Sequence, residues 1–225
     1  MTTPLRLVVF DVDGTLVDSQ NHIMAAMQVA FGDLGLVTPP RAAVLGIVGL
    51  SLPEAMRRLA PEAPRDLIEG LTAGYRGAFA ARRAQAESPL YPGARAVLQA
   101  LAGQDSVLLG VATGKSRRGL DHMLRTHELG DYFVTAQVAD DHPSKPHPSM
   151  LEAALRETGV APGNAVMVGD TSYDMEMARN AGLPGIGVAW GYHAAAALHR
   201  AGAARVIEDF SALGPALAAL QEAAA

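Results

Sequence analysis

A doubly wound α/β fold with an all-helical insertion is the class this sequence predicts, and three observations carry it. Short Val-rich aliphatic runs recur along the chain, each followed by Gly, Asp or Thr. Helix-length segments separate those runs. The stretch after the first run, residues 17–86, holds only helical patterns. Aliphatic runs of four to six residues suit strands buried on both faces. Their alternation with helices argues for βαβ units and a parallel sheet.

The strands are expected at residues 7–10, 107–112, 165–168 and 183–188, with a weaker last one at 204–207. Helices are expected at 93–102, 116–126, 148–158 and 173–181, with an Ala-rich closing helix at 211–223. A single crossover needs only about a dozen residues. The long helical stretch, with patterns at 21–34, 52–59 and 65–85, therefore reads as a second domain inserted after strand one. The expected division is a Rossmann-like core of residues 1–16 and 87–225 and a helical domain of residues 17–86.

Composition narrows the function classes. Hydrophobic residues make up 49% of the 225, enough for a real core, whereas aromatics are only 5%. Packing must then rely on aliphatic side chains. A net charge of −5 leaves no electrostatic footprint for nucleic acid. Without cysteine there is no disulfide and no thiolate metal site. No apolar run reaches membrane-spanning length, and the N-terminus lacks a secretory pattern, so the expected location is the cytoplasm.

In open α/β sheets, ligands bind beyond the carboxyl ends of the strands. Asp11 and Asp13 follow the first strand, and Thr113, Gly114, Lys115 and Ser116 follow the second. Asp170 and Asp174 follow the run 165–168, and Lys145 precedes the helix at 148. Carboxylates at close quarters repel unless they share a cation. Oxygen donors without Cys point to a hard ion such as Mg²⁺. Thr113, the Gly114 N–H and the Lys145 ammonium are donors suited to anionic oxygens. That set describes phosphoryl transfer to an Asp nucleophile. Asp11 and Asp13, two apart on extended backbone, point the same way.

These residues resemble the haloacid dehalogenase superfamily of aspartate-nucleophile phosphohydrolases. DVDGTLVDS matches its first motif, VATG its second, Lys145 in SKPHP its third and GDTSYDMEMARNAG its fourth. The helical insertion has the position of that family's small cap. The resemblance implies that Asp11 attacks phosphorus, and that Asp13 protonates the leaving oxygen and then activates water. It implies Mg²⁺ on the carboxylates of Asp11 and Asp170 and the backbone carbonyl of Asp13. Asp174 would act through a water on the ion or a hydrogen bond behind it. Thr113 and Gly114 would bind phosphoryl oxygens, and Lys145 would offset charge on Asp11 and the phosphoryl group.

The nearest branch is that of phosphoglycolate phosphatase, so the expected partner is a small phosphorylated metabolite, with no nucleic acid or membrane, in a monomer or homodimer. Sugar phosphomutase and pyrophosphatase chemistries of the same superfamily stay open. A 2-haloacid dehalogenase is disfavoured by the intact Asp13-Gly14-Thr15 with Asp170. A binding protein that kept the fold is disfavoured because every motif residue is present.

Other residues are weighed against plainer roles. Asp11 and Asp13 by themselves would also suit a strand end and helix cap, and Asp174 a first-turn acid. His142 and His147 suit loop residues better than a metal pair. Arg117 or Arg118 could reach substrate, with solvent as the default. Trp190, Tyr192 and His193 suit either the crevice mouth or the core. The segment GIVGLSLPEAM looks like a loop able to dip toward the core, and Arg41 before it is a candidate for a substrate carboxylate, though a solvated role is the plainer one.

Overall fold

The computed structural model describes residues 4–224. Six parallel strands form one sheet: β1 (Arg6–Phe10), β2 (Val107–Thr113), β3 (Phe133–Val138), β4 (Ala165–Gly169), β5 (Gly185–Val188) and β6 (Ala203–Ile207). Their spatial order is β3-β2-β1-β4-β5-β6. The chain thus runs outward from β1 on one side, then returns to begin β4 on the other. That reversal between β1 and β4 opens a crevice beyond their carboxyl ends, where such sheets bind ligands.

Period-two alternation builds the layers. Val8 and Phe10 of β1 join a cluster with Leu98, Leu120 and Phe210 on one face. Leu7 and Val9 join Met150, Leu151 and Met177 on the other. The helices supplying these faces are α5 (Ala94–Ala102), α6 (Arg117–Thr126), α7 (Ser149–Thr158), α8 (Ser172–Asn180) and α10 (Leu213–Ala224). Among the described residues, no helix is long and apolar enough to cross a membrane.

Between β1 and α5 lie α1 (Gln20–Gly32), α2 (Arg41–Leu45), α3 (Leu52–Leu59) and α4 (Arg65–Gln85). They enclose their own apolar cluster of Ile23, Met27, Phe31, Val44, Met56 and Leu71. Two connectors join these helices to the sheet and lie side by side: Val17 bridges Leu90, and Asp18 N–H donates to the Pro89 carbonyl at 2.9 Å.

The structure departs from the sequence expectation in four elements. Strand β3 is not among the expected strands, because its apolar alternation is broken by Thr135 and Gln137. Both bond the Glu157 carboxylate of α7, so a polar contact takes the place of an apolar one at this sheet edge. Two short helices, α2 and α9 (Ala195–Ala201), are also additions. Strand β5 starts at Gly185 rather than 183, where pairing with Met167 begins.

Candidate active site

Asp11 sits one residue beyond β1 and is held there by its N–H donating to the Val168 carbonyl of β4 at 2.9 Å. Asp170 and Asp174 come from the β4 end and the first turn of α8. All three carboxylates are buried, and an oxygen of each lies within 4.8 Å of the others. Lys145, itself buried, places Nζ 2.6 Å from Asp174 Oδ1 and 3.1 Å from Asp11 Oδ1. One ammonium therefore faces three carboxylates.

The remaining lone pairs are unequally used. Asp170 accepts from Thr15 Oγ1 and from Tyr192 N–H, each at 2.9 Å. Asp174 is the third helical residue of a reciprocal cap: Thr171 N–H and Oγ1 donate to Asp174 Oδ2 at 3.0 and 2.7 Å. The helix-capping role considered for Asp174 is thus present, alongside its contact with Lys145. Asp11 Oδ2, by contrast, has no hydrogen-bond partner among the described residues, and Asp11 Oδ1 has only the Lys145 ion pair at 3.1 Å. A buried carboxylate left in that state needs a further ligand.

Electrostatics agree. Burial pushes the Asp11 carboxyl up to about 7; Lys145 opposes the rise and Asp174 adds to it. Burial likewise holds Asp170 well above the usual carboxylate range, with Asp11 and Asp174 adding to the effect. Burial alone would lower Lys145, but Asp11 and Asp174 override it and push the ammonium up to about 12. The cluster is short of positive charge, its free donors are hard oxygens, and it fits Mg²⁺.

Asp13 faces the same cavity from a different environment. Its carboxylate is outside the buried acidic group and receives Lys115 Nζ at 2.7 and 2.8 Å and Ser19 Oγ at 2.5 Å. Ser19 in turn meets the Tyr192 hydroxyl at 3.0 Å. Gly14 makes the turn that follows Asp13, with φ +86°. A Cβ there would stand 2.2 Å from Asp170 Oδ2, so the close approach of the two loops requires glycine.

Thr113 ends β2 buried, and its Oγ1 accepts from Lys115 N–H at 3.3 Å. Beside it, a Cβ on Gly114 would lie 2.6 Å from the Leu50 carbonyl oxygen and 2.7 Å from that of Gly49. The loop before α3 thus rests directly on the strand ends. Ser51 N–H donates to Ser144 Oγ at 2.8 Å, and the Tyr173 hydroxyl donates to the Gly46 carbonyl at 3.0 Å. The result is a cavity of about 480 Å³, with Asp11, Asp13 and Thr113 at its floor and residues of α1, α3 and α4 above.

All seven residues expected at the strand ends, Asp11, Asp13, Thr113, Gly114, Lys145, Asp170 and Asp174, therefore converge. The weaker candidates divide. Arg41 is exposed, donates to Gln20 and is not part of the cavity lining, in keeping with the solvated role. Arg117 is occupied by the Ala136 carbonyl at 2.8 Å and Asp141 at 3.2 Å, whereas Arg118 lines the cavity. His142 is spent on Ser149 and Gln137, and His147 accepts from Ser149 N–H, so they form no metal pair. Trp190 packs on Phe210 and donates to the Thr15 carbonyl at 3.1 Å. His193 accepts from Ser172 N–H, which leaves Nε2–H for the Gly46 carbonyl, and burial lowers its pKa. These groups brace the site from behind. Lys115 is the residue the sequence reading left without a role; its position two after Thr113 was the available signal.

Comparison with known proteins is consistent across the chain. The family model described as haloacid dehalogenase-like hydrolase matches residues 8–188. A probable phosphatase, IndB of Dickeya dadantii, is 36% identical over 211 residues, spanning 91% of this chain and 90% of that one. A phosphoglycolate phosphatase of Yersinia pseudotuberculosis is 31% identical over 217 residues, covering 95% and 93%. A hydrolase from Pseudomonas syringae superposes with a TM-score of 0.85 at 26% identity, covering 95% of this chain and 98% of that one. A haloacid dehalogenase-like hydrolase from Streptococcus pneumoniae gives 0.82 at 26%, covering 94% and 97%.

Proposed function

Since the chain belongs to the haloacid dehalogenase-like hydrolase family and is a phosphatase within it, we propose that it hydrolyses a small phosphate monoester through an aspartyl-phosphate on Asp11. The observation that carries this reading is the Asp11 carboxylate: buried, with Oδ2 unpartnered and Oδ1 met only by Lys145, and opening onto the cavity that Asp13 also lines. The phosphoglycolate phosphatases among its relatives support an ester whose leaving group is a small organic acid.

Asp11 and Asp170 would hold Mg²⁺, with the backbone carbonyl of Asp13. When bound, the ion neutralises carboxylate and phosphoryl charge, which lets nucleophile and ester approach. Asp174 has both oxygens engaged, so its part is to seat Lys145 and the first turn of α8. An Asp11 oxygen forms the bond to phosphorus as the ester P–O bond breaks. Asp13 gives its proton to the leaving oxygen, then takes one from the water that cleaves the acyl phosphate and regenerates Asp11. Thr113, the Gly114 N–H and Lys145 steady the phosphoryl oxygens. The helices of residues 17–86 act as a cap that excludes water during transfer and opens for release. The reaction takes place in the cytoplasm.

The test is phosphate release from a panel of small esters with Mg²⁺, with Asp11→Asn as blank. Borohydride trapping of the quenched reaction should convert Asp11 to homoserine. A blank that matched wild type would overturn the assignment, and an isomer formed without free phosphate would indicate a mutase instead.

A further inference from the structure

The cavity is larger than a two-carbon acid requires. At about 480 Å³ it falls in the range that buries a drug-sized ligand. Its walls are also of two kinds. Ile23 and Met27 of α1 and Tyr75 and Phe79 of α4 make an apolar side, with the two rings stacked at 5.8 Å. Phe79 reaches the reacting end, because Lys115 Nζ lies 5.2 Å above its ring while also contacting Asp13. A group attached to the oxygen that Asp13 protonates therefore meets an aromatic surface first.

Further out the lining turns cationic. Arg76 and Arg83 on α4 and Arg118 on α6 line the same cavity. Among the described residues none of the three has a carboxylate within ion-pair distance, unlike Arg57, Arg58, Arg65 and Arg117. The one acid in the lining apart from Asp11 and Asp13 is Asp140, whose carboxylate already accepts from Arg117 N–H at 2.8 Å. Arg83 is half-buried, so its charge is only partly quenched by water. Guanidinium groups left open beside a cavity suit carboxylate or phosphate.

We propose that the ester hydrolysed carries, beyond its scissile phosphate, a ring-sized apolar body against Phe79 and Tyr75 and a second anionic group received by Arg76, Arg83 and Arg118. The inference rests on the phosphatase reading and narrows its substrate class. The apolar body supplies contact area; the second anion fixes orientation. A two-carbon acid phosphate meets the charge requirement but leaves the aromatic wall to water.

Three probes separate the requirements under Mg²⁺: 4-carboxybenzyl phosphate, benzyl phosphate and phosphoglycolate. Carboxybenzyl phosphate is expected to lead both others in kcat/KM by about tenfold or more, the scale of one charged hydrogen bond or a buried ring. In Arg83→Gln and Arg118→Gln the preference for carboxybenzyl over benzyl should collapse, chiefly through KM. Arg41→Gln, outside the cavity, should keep the wild-type preference. Equal turnover of the two benzyl esters, or phosphoglycolate leading, overturns this inference and leaves the phosphatase reading intact. No phosphate release from any probe, p-nitrophenyl phosphate included, overturns both.

Discussion

The floor of the cavity and its roof are built on opposite principles. The floor is anchored through Asp11 in a buried charge cluster at the ends of parallel strands, where Asp11, Lys145, Asp170 and Asp174 are each 1% exposed or less. The roof is a set of helices around a small apolar cluster, presenting rings and half-buried or exposed arginines. Floor groups are placed by backbone: a strand end, a glycine turn, a helix cap. Roof groups are placed by long side chains on helix faces. Rigid placement suits bond-making chemistry, and adjustable placement suits selection among leaving groups.

Removing the Asp11 carboxylate, the proposed nucleophile, should produce the largest effect. Asp11→Asn is expected to cut phosphate release by more than about a thousandfold, measured under saturating substrate. Substantial residual turnover would move the nucleophile elsewhere. Lys145→Met comes next, with kcat lowered about a hundred- to thousandfold. The same change strands three buried carboxylates and should destabilise the metal-free fold by about 3–5 kcal/mol, read from urea unfolding.

The contact between floor and roof is tested by Gly114→Ala. Its Cβ would meet the Leu50 and Gly49 carbonyls at 2.6 and 2.7 Å, so the roof must lift. KM should rise about tenfold, while Gly130→Ala, which meets nothing within 4 Å, should leave the kinetics alone. Unchanged KM in Gly114→Ala would mean that the roof's seating does not govern binding.

The floor's electrostatics predict a smaller, pH-dependent effect. Burial raises the Asp11 carboxyl from 3.8 to about 7, so between those values the folded state keeps a proton that the unfolded state has lost. Stability of the metal-free protein should therefore fall as pH rises through that window. Mg²⁺ on this cluster would supply the missing positive charge once the carboxylate is ionised. It should raise Tm more at pH 8 than at pH 5, as seen by calorimetry; an equal or reversed gain would sever the link between ion and cluster.

The difference between floor and roof also explains what could be read in advance. A residue just beyond an aliphatic run of a parallel sheet has its location set by the run itself, so Asp11, Thr113 and Asp170 follow from local pattern. Lys145 has no strand to mark it and was found by its motif. Lys115 has no role legible in the sequence because its contact with Asp13 joins two loops that meet only after folding. Arg41 keeps the plainer solvated role, because a charged residue with no motif around it defaults to the surface. Strand β3 escaped because its polar positions are satisfied by Glu157, a partner remote in sequence.

What the sequence by itself determined was the layered sheet, the long helical insertion and the residues placed at the strand ends, because each depends on residue type and short-range periodicity. Only the tertiary structure decided which charges meet. It set Lys145 between Asp11 and Asp174, gave Lys115 to Asp13, left Asp11 Oδ2 without a partner, and brought Arg76, Arg83 and Arg118 to the lining of one cavity. The physical reason is that charge pairing depends on distances of a few ångströms between separate elements, and those distances exist only once the helices have docked on the sheet.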